Sequence, residues 1–411
     1  MVDIKDSVAV LNDDKRENAE IIFHSYKLIQ LLNHLKANEK WEEQVDDSIK
    51  LIVNDLENKR MEFEGVRDLI IETLQQHNLG TIIDFEMVAA GVINLNIKLT
   101  TTEGNYYFRA YNENQDMKHI KLEHKLLEHL TKNGFKAIGP IKTKLGSTYY
   151  KSRNGRICSI FRWQKGRHFY FSFSGIKRIA RTLGSYHTLV KDFHPNPELR
   201  EQAVAIERQY RTKSLLAIEY GTFKGNNSVY AFLRKKKQRD EIDNLLLTKR
   251  DEFYKIFKFI QTQLLRIQFS RDDFVLLHSD LHGGNMLFRR KKLVAILDFD
   301  FAQYWPTQYE LVTSLLLYCY DYPQGKFNIK LMGEFVKNYH TFYQKHIKGW
   351  WISVILLYYI LYSLNAVLRS YYFHKSYNVQ ITQINELVNG YVKLIEWMYA
   401  HMSDMEYVSN K

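Results

Sequence analysis

The stretch Leu276–Ala302, LLHSDLHGGNMLFRRKKLVAILDFDFA, is the part of this 411-residue chain that decides how the rest is interpreted. It begins with a loop of the pattern H-x-D-x-x-x-x-N, which holds His278, Asp280 and Asn285. A predicted hairpin follows, and its apolar second strand runs into Asp298. A lone Asp in a loop is usually a turn former, but this ordered combination between apolar strands favours a functional site.

These residue types fit the transfer of a phosphoryl group from a nucleotide. That reaction needs a carboxylate to orient the attacking hydroxyl and oxygen ligands to hold Mg²⁺ on the phosphates. Asp280 and Asn285 can project from one loop, and Asp298 arrives from the end of the hairpin, a spacing typical of kinase catalytic loops. His282 and Asp300 stay open, because each could contact substrate or metal or could simply brace the loop.

The residues before this stretch predict a small sheet with one inserted helix. Alternating apolar positions and turn residues indicate strands, and an apolar face at helical spacing, closed by Gly134, indicates the helix. The strands are expected at 82–89, 92–100, 106–111, 142–151 and 156–163, and the helix at 117–133.

Helical patterns dominate on both sides of this sheet. One region runs from 15 to 76, and we expect it to pack on the next domain, the alternative being a segment that binds a partner or covers substrate. Beyond Gly166 helices are expected at 174–192, 198–219 and 240–268, with several more after Glu310. We therefore expect an N-terminal extension at 1–64, a sheet domain at 65–166 and a helical domain at 167–411.

Composition restricts location and partners. Lys and Arg number 58 against 46 Asp and Glu, a formal charge of +12 that suits an anionic ligand without choosing one. Two distant cysteines suit a reducing compartment, and the first residues lack the pattern of a signal peptide, so we expect a cytoplasmic protein. The apolar run Trp350–Leu368 is long enough to span a membrane, but its interrupting polar residues favour a buried core helix.

The motif HSDLHGGNMLF, followed by AILDFDFA, closely resembles the aminoglycoside phosphotransferase and choline kinase family, and its ending is most similar to the branch of homoserine-kinase-type and amino-sugar kinases. The resemblance covers about residues 65–400. It implies a two-lobed, protein-kinase-like α+β fold, with a small antiparallel-sheet lobe and a larger helical lobe. It also implies that Asp280 is the catalytic base and that Asn285 and Asp298 bind Mg²⁺.

Weaker matches extend the resemblance into the sheet domain. Gly91 and Asn94 belong to a segment similar to the family's nucleotide loop, although a single glycine is also an ordinary turn. Arg109 stands where the family has a basic residue that touches the nucleotide phosphates, and Glu123 matches the helix glutamate that pairs with it. Gly166 matches the hinge between the lobes.

The resemblance therefore implies phosphorylation of a small-molecule hydroxyl with ATP or GTP and Mg²⁺. Sugars, amino sugars, amino alcohols, homoserine-like compounds and antibiotics are all open as acceptors. Nine Lys and Arg against seven Asp and Glu after Asp300 favour acceptors other than polycations. The alternative is a catalytically weak, kinase-like scaffold or interaction protein. The Arg at 109 and the long extension favour it, but the intact Asp280, Asn285 and Asp298 argue against it. A nucleic-acid partner is not expected, because the basic residues are dispersed and no such motif occurs.

Overall fold

The computed structural model describes residues 63–88, 94–168, 173–290, 292–321, 326–374 and 381–410. The helical pattern expected between residues 15 and 62 lies outside these ranges, and so do Gly91, Val92 and Ile93 of the expected nucleotide loop. Asn94, the last residue of that motif, is described.

An antiparallel sheet of five strands forms the first part of the fold. The strands are β1 (Ile82–Met87), β2 (Leu95–Thr101), β3 (Gly104–Ala110), β4 (Tyr150–Lys151) and β5 (Ile157–Arg162), and they lie in the order β1-β2-β3-β5-β4. β2 and β3, which correspond to the strands expected at 92–100 and 106–111, pair from Leu95 opposite Ala110 to Thr101 opposite Gly104. Alternate residues of β2 point into the core, since a strand has a side-chain period of two.

Helix α1 (Phe63–Gln75) covers one face of this sheet. Its Leu69 and Ile70 are buried in a cluster with Ile97 and Phe108 of the sheet. Within the described residues, the end of the N-terminal helical pattern thus packs on the next domain.

Helix α2 (Met117–Lys132) is the predicted insertion in the sheet. The Asp116 side chain accepts a hydrogen bond from the Lys118 amide and caps the first turn. Gly134 follows the helix with a φ of +73°, a left-handed conformation that ends helices and that glycine adopts without steric cost. The predicted boundaries at both ends are confirmed.

The strand expected over 142–151 is wrong for most of its length. The Thr143 amide donates to Ser147 O at 2.7 Å, the Gly146 amide donates to Thr143 O at 2.9 Å, and Gly146 has a φ of +80°. This segment therefore turns back on itself, and only Tyr150–Lys151 pairs with the sheet.

Two small sheets hold the loop singled out in the sequence. In one, β6 (Arg167–His168), β8 (Met286–Arg289) and β9 (Lys292–Ile296) are antiparallel. In the other, β7 (Phe274–Leu277) pairs with β10 (Gln303–Pro306). The loop 278–285 leaves β7 and enters β8, so both of its ends are anchored.

Helices make up most of the remaining chain and enclose the larger hydrophobic core. Those predicted at 174–192, 198–219 and 240–268 are confirmed to within two residues. They are α3 (Phe173–Val190), α4 (Pro197–Ile218), α5 (Val229–Lys235), α6 (Glu241–Arg266), α7 (Thr307–Cys319), α8 (Ile329–His340), α9 (Gly349–Arg369), α10 (Ile381–Ala400) and α11 (Met402–Ser409), with a short ribbon of β11 (Tyr320–Asp321) and β12 (Lys326–Phe327) after α7.

The apolar helix α9 lies inside the helical part. Among the described residues, the segment Gly349–Phe373 is long and apolar enough to cross a membrane by length and composition alone. Its most apolar window is 83% buried, and α9 contacts α6, α7, α10 and α11. A helix that is apolar on all sides is expected in such a core position.

Candidate active site

The loop after β7 brings Asp280 and Asn285 together. Asn285 Nδ2 donates to the backbone O of Asp280 at 2.9 Å and to its Oδ2 at 3.0 Å. The Leu297 amide donates to Asn285 O at 2.8 Å, and His278 Nε2 lies 2.9 Å from Leu297 O. Because Leu297 binds both ends of the loop, the next residue, Asp298, lies beside the loop.

Ser279 has a strained backbone conformation, and a hydrogen bond to a residue distant in sequence holds it in place. Ser279 has a φ of +64°, in the left-handed region that disfavours residues with a side chain. Its amide donates to Glu310 Oε1 at 2.6 Å. Glu310 Oε2 lies 2.8 Å from His187 Nε2, and both side chains are almost fully buried. A glycine adopts this conformation without steric cost, whereas the side chain of Ser279 makes it unfavourable.

The sequence analysis missed Glu310 and His187. Burial alone would raise the pKa of Glu310, but hydrogen bonds and charge from His187, with the Ser279 amide, outweigh it and hold that pKa below its ordinary value. In the sequence, each of these residues stands out only as an ionisable residue at a buried position of a helical pattern. Such a pattern does not indicate which residue is the partner, since His187 and Glu310 lie 123 residues apart.

Asp298 has the properties of a metal ligand. Its φ of +62° turns the chain sharply at the end of the hairpin. Its Oδ1 is buried and, within the described part of the chain, accepts no hydrogen bond. A buried carboxylate oxygen without a donor is costly, and a cation would satisfy it. Asn285, only 9% exposed, offers an amide oxygen at the same loop.

This ligand set fits Mg²⁺ and does not resemble a structural metal site. No group of three or more His, Cys, Asp or Glu suited to a metal occurs among the described residues. Mg²⁺ is usually held by one or two protein oxygen ligands together with substrate phosphates and water. Asp298 and Asn285 would supply that number of ligands.

The two histidines of the loop have structural contacts. His278 is buried against the Phe299 ring, 4.4 Å between centroids, and burial lowers its pKa. His282 Nδ1 accepts a hydrogen bond from the Gly284 amide at 3.0 Å, and its Nε2 lies 3.5 Å from Asp280 Oδ2. His282 therefore braces the loop while also touching the Asp280 carboxylate.

Arg109, on β3, meets this loop from the sheet side. It is 6% exposed. Its Nη1 donates to Asp300 Oδ1 and lies 3.6 Å from Glu123 Oε1. Its Nη2 lies 3.9 Å from Asp298 Oδ1, and its Nε donates to Asn96 Oδ1 at 3.3 Å. Burial disfavours the cation, but the carboxylates, Asp300 first, outweigh it and raise the pKa of Arg109 well above its ordinary value.

Asp300, open in the sequence analysis, contacts three residues of the sheet part. Besides Arg109, Asn94 Nδ2 donates to its Oδ2, and His119 Nε2 lies 2.6 Å from its backbone O. Asn94 Oδ1 in turn accepts from the Asn112 amide at 2.9 Å. Burial raises the pKa of Asp300, and Arg109 opposes that rise only in part.

Glu123, on α2, is close to Arg109 but in an unusual environment. It is 2% exposed, and Tyr111 Oη donates to its Oε2 at 3.3 Å. Burial first and the negative Asp300 second raise the pKa of Glu123, against the opposing effect of Arg109. The contact expected from the resemblance is therefore present, but its distance is that of a loose ion pair.

Gly166 lies where the chain passes close to β8. A Cβ at this position would come within 2.8 Å of Leu287 Cβ, closer than two carbon atoms approach. A side chain at position 166 would therefore force Leu287 to shift, which explains the glycine in the connection between β5 and β6.

Two tyrosines of the helical part interact electrostatically with Asp280. Burial first, and more weakly the negative charge of Asp280, raises the pKa of Tyr318 and of Tyr359. Tyr318 lies on α7 and Tyr359 on α9.

A second group of aromatic rings continues from β10. Gln303 Nε2 donates to Ser279 Oγ at 3.4 Å, and Trp305, two residues on, lies on the same face of the strand. The Trp305 ring is 5.6 Å from that of Tyr210, which is 6.3 Å from that of Tyr362. All three rings are partly exposed. They form an aromatic wall next to the catalytic loop.

Comparison with known sequences identifies relatives of the same kind. Residues 84–346 match the model of the phosphotransferase enzyme family. Homoserine kinase of Methylobacterium radiotolerans is 23% identical over 274 residues, which cover 66% of this chain and 75% of that protein. Homoserine kinase of Methylobacterium nodulans is 24% identical over 268 residues, which cover 62% of this chain and 70% of that protein.

Solved structures share the fold. An aminoglycoside phosphotransferase from Alicyclobacillus acidocaldarius superposes with a TM-score of 0.60 at 15% identity, over 82% of this chain and 96% of that one. An amicoumacin kinase in complex with AMP-PNP, Ca²⁺ and its antibiotic gives 0.54 at 14% identity, over 83% and 95% of the two chains. Since the family model matches more than half of the chain, this protein belongs to the phosphotransferase enzyme family and is a small-molecule kinase with a hydroxyl acceptor.

Proposed function

We propose that this protein transfers the terminal phosphoryl group of ATP or GTP to a hydroxyl group of a small molecule, with Mg²⁺ bound at Asn285 and Asp298. The observation that carries the proposal is the meeting of Asp280, Asn285 and Asp298 beside the buried cation Arg109. Amicoumacin kinase binds a nucleotide analogue on the same fold, which supports the use of a nucleotide.

Asp280 is proposed to orient the acceptor hydroxyl and to take its proton. Asn285 holds Oδ2 of Asp280 by a hydrogen bond, which fixes the direction of the carboxylate. The acceptor oxygen then forms a bond to the terminal phosphorus, the bond from that phosphorus to the bridging oxygen breaks, and the nucleoside diphosphate leaves. General-base assistance of this kind contributes roughly 10²- to 10⁴-fold to a rate.

Charge on the transferred group is balanced by the protein. The transition state spreads negative charge over the equatorial oxygens, so positioned cations stabilise it. Arg109 is proposed to supply one such charge through its Nη2, the edge that faces Asp298. When bound, Mg²⁺ would supply further positive charge, and Asp298 and Asn285 would be its protein ligands.

The acceptor is proposed to lie against the aromatic residues near Asp280. The homoserine kinases among the relatives support a small hydroxyl compound. Trp305, Tyr210 and Tyr362 form the aromatic wall next to the loop that holds Asp280, and aromatic rings bind the apolar face of a ring or an alkyl chain. Sugars, amino sugars, amino alcohols, homoserine and ring-containing antibiotics therefore make up the test panel.

The first test is nucleotide binding. Mg²⁺ with ATP or GTP should raise the melting temperature, and EDTA should reduce that shift, because a ligand that binds only the folded state stabilises it. Asp298→Ala should lose most of the shift. Asp272→Ala is the matched control, because this aspartate lies on the surface next to β7 with its side chain 74% exposed.

The second test is turnover with the acceptor panel, followed by nucleoside diphosphate release and by detection of the phosphorylated product. At least one acceptor should accelerate diphosphate release over the rate with water. A wild-type protein that shows neither a melting shift nor product with any acceptor would instead be a scaffold.

A further inference from the structure

We propose that Asp300 is the positioning residue that holds Arg109 for the nucleotide phosphates, a task that Glu123 performs only weakly in this chain. The inference rests on the proposed function, since it concerns how the same site is assembled. It assigns a role to the second carboxylate of the DFD segment.

The distances from Arg109 to its neighbours show which carboxylate binds it more strongly. Nη1 donates a hydrogen bond to Asp300 Oδ1, whereas the nearest oxygen of Glu123 lies 3.6 Å away. Charge-assisted hydrogen bonds are about twice as strong as neutral ones, and a separation of 3.6 Å is too long for a hydrogen bond. Asp300 is therefore the main counter-ion of Arg109.

Asp300 is itself fixed by two residues other than Arg109. Its Oδ2 accepts from Asn94 Nδ2, and its backbone oxygen lies 2.6 Å from His119 Nε2. Its side chain is 9% exposed. A carboxylate held in this way cannot move together with a mobile arginine side chain. The guanidinium of Arg109 therefore takes the orientation that Asp300 sets.

That orientation has a direct consequence for the phosphates. With Nη1 bound to Asp300 and Nε bound to Asn96, the guanidinium is oriented so that Nη2 faces Asp298. Asp300 is two residues from Asp298 in the chain. The same short segment thus carries the proposed metal ligand and sets the direction of the proposed phosphate ligand.

Asp300 also joins the two parts of the fold. Asn94 precedes β2, Arg109 lies on β3 and His119 lies on α2, whereas Asp300 belongs to the segment between β9 and β10. Contacts across 181 to 206 residues of chain therefore converge on one side chain and its backbone. Loss of its charge should loosen the attachment of these elements to the metal loop.

The experiment compares Asp300→Asn with Glu123→Gln and with a matched control. Asp243→Asn is that control, because Asp243, on α6, is fully buried and its carboxylate pairs with Lys236, the residue after α5. Dissociation constants are measured by calorimetry with Mg²⁺ and AMP-PNP, or the guanine analogue if wild type prefers it. Amide hydrogen exchange of the nucleotide-free proteins is measured at β3 and at the start of α2.

We expect Asp300→Asn to weaken analogue binding about tenfold or more and to speed exchange at β3 and at residues 117–120, because directly coupled pairs interact strongly. Glu123→Gln should weaken binding less than Asp300→Asn. Asp243→Asn should lower the melting temperature without changing the dissociation constant. In a double-mutant cycle, Asp300→Asn should add little to Arg109→Lys.

Three outcomes would overturn the inference while leaving the proposed function intact: unchanged or tighter binding in Asp300→Asn, a larger loss in Glu123→Gln, or full additivity with Arg109→Lys. If Asp300→Asn does not fold, Asn94→Ala and His119→Ala replace it, since each removes one support of Asp300 and keeps both charges. Each should weaken binding several-fold, and no effect in either would refute the proposal. A wild type that binds no nucleotide would refute the proposed function itself.

Discussion

Removal of the Glu310 carboxylate should both destabilise the protein and displace the catalytic loop. Glu310 accepts the Ser279 amide at 2.6 Å and lies 2.8 Å from His187 Nε2. It is 3% exposed and His187 is fully buried, so Glu310→Ala leaves a buried histidine and a buried amide without their partner. Breaking a buried hydrogen-bonded pair in this way costs about 3–5 kcal/mol.

Glu310→Gln should be milder. The amide keeps the shape and one acceptor for Ser279, but the charge that strengthens both hydrogen bonds is lost. Hydrogen bonds to charged groups contribute about 1.5–3 kcal/mol each, against about 1 kcal/mol for neutral ones, so a loss of about 1–4 kcal/mol over the two bonds is expected. Loss of the Glu310 contact should also let the strained backbone of Ser279 relax. Because Asp280 follows Ser279, its carboxylate would then move, and a movement of about 1 Å should lower kcat by about 10²-fold.

Urea unfolding across the pH range tests this reasoning. The folded pKa of Glu310 lies below its ordinary value of 4.5, so its carboxylate contributes stability above that pH, and the contribution is lost as the pH falls through the folded pKa. Glu310→Gln should remove this part of the acid-side decline. Glu334→Ala, which breaks a surface pair with Lys177, is the control and should change little. Wild-type stability in Glu310→Ala would refute the assigned contacts.

Three further predictions concern the loop and the thiols. Asp280→Asn should lower kcat by about 10²- to 10⁴-fold with nucleotide affinity kept, as calorimetry and initial rates would check; wild-type turnover would exclude Asp280 as the base. Ser279→Gly should raise the free energy of unfolding by up to about 1 kcal/mol, because it relieves the left-handed strain at this position. Part of the gain is lost because glycine has more conformational entropy in the unfolded state. A measured decrease in the free energy of unfolding would show that Ser279 is not strained. Cys158 and Cys319 are buried, and burial raises the pKa of Cys158 to about 12, so neither thiol should react with a disulfide reagent until the protein is denatured.

Short-range sequence patterns predict much of the fold and of the candidate site. The H-x-D-x-x-x-x-N loop and the following hairpin specify Asp280, Asn285 and Asp298 within 19 positions, and their approach follows from local chain geometry. Helix α2 was bounded correctly because Gly134 ends it through its own backbone preference. The strand expected at 142–151 failed because the turn at Gly146 depends on hydrogen bonds that apolar alternation does not reveal.

The sequence alone thus determined the family, the two-part architecture and the loop that holds the proposed catalytic residues. Only the tertiary structure decided which carboxylate holds Arg109 and what holds the loop. The Arg109–Asp300 contact spans 191 residues and the His187–Glu310 contact spans 123. Such contacts follow from how helices and sheets pack, and a single sequence records each residue's type and local pattern but not its distant neighbour.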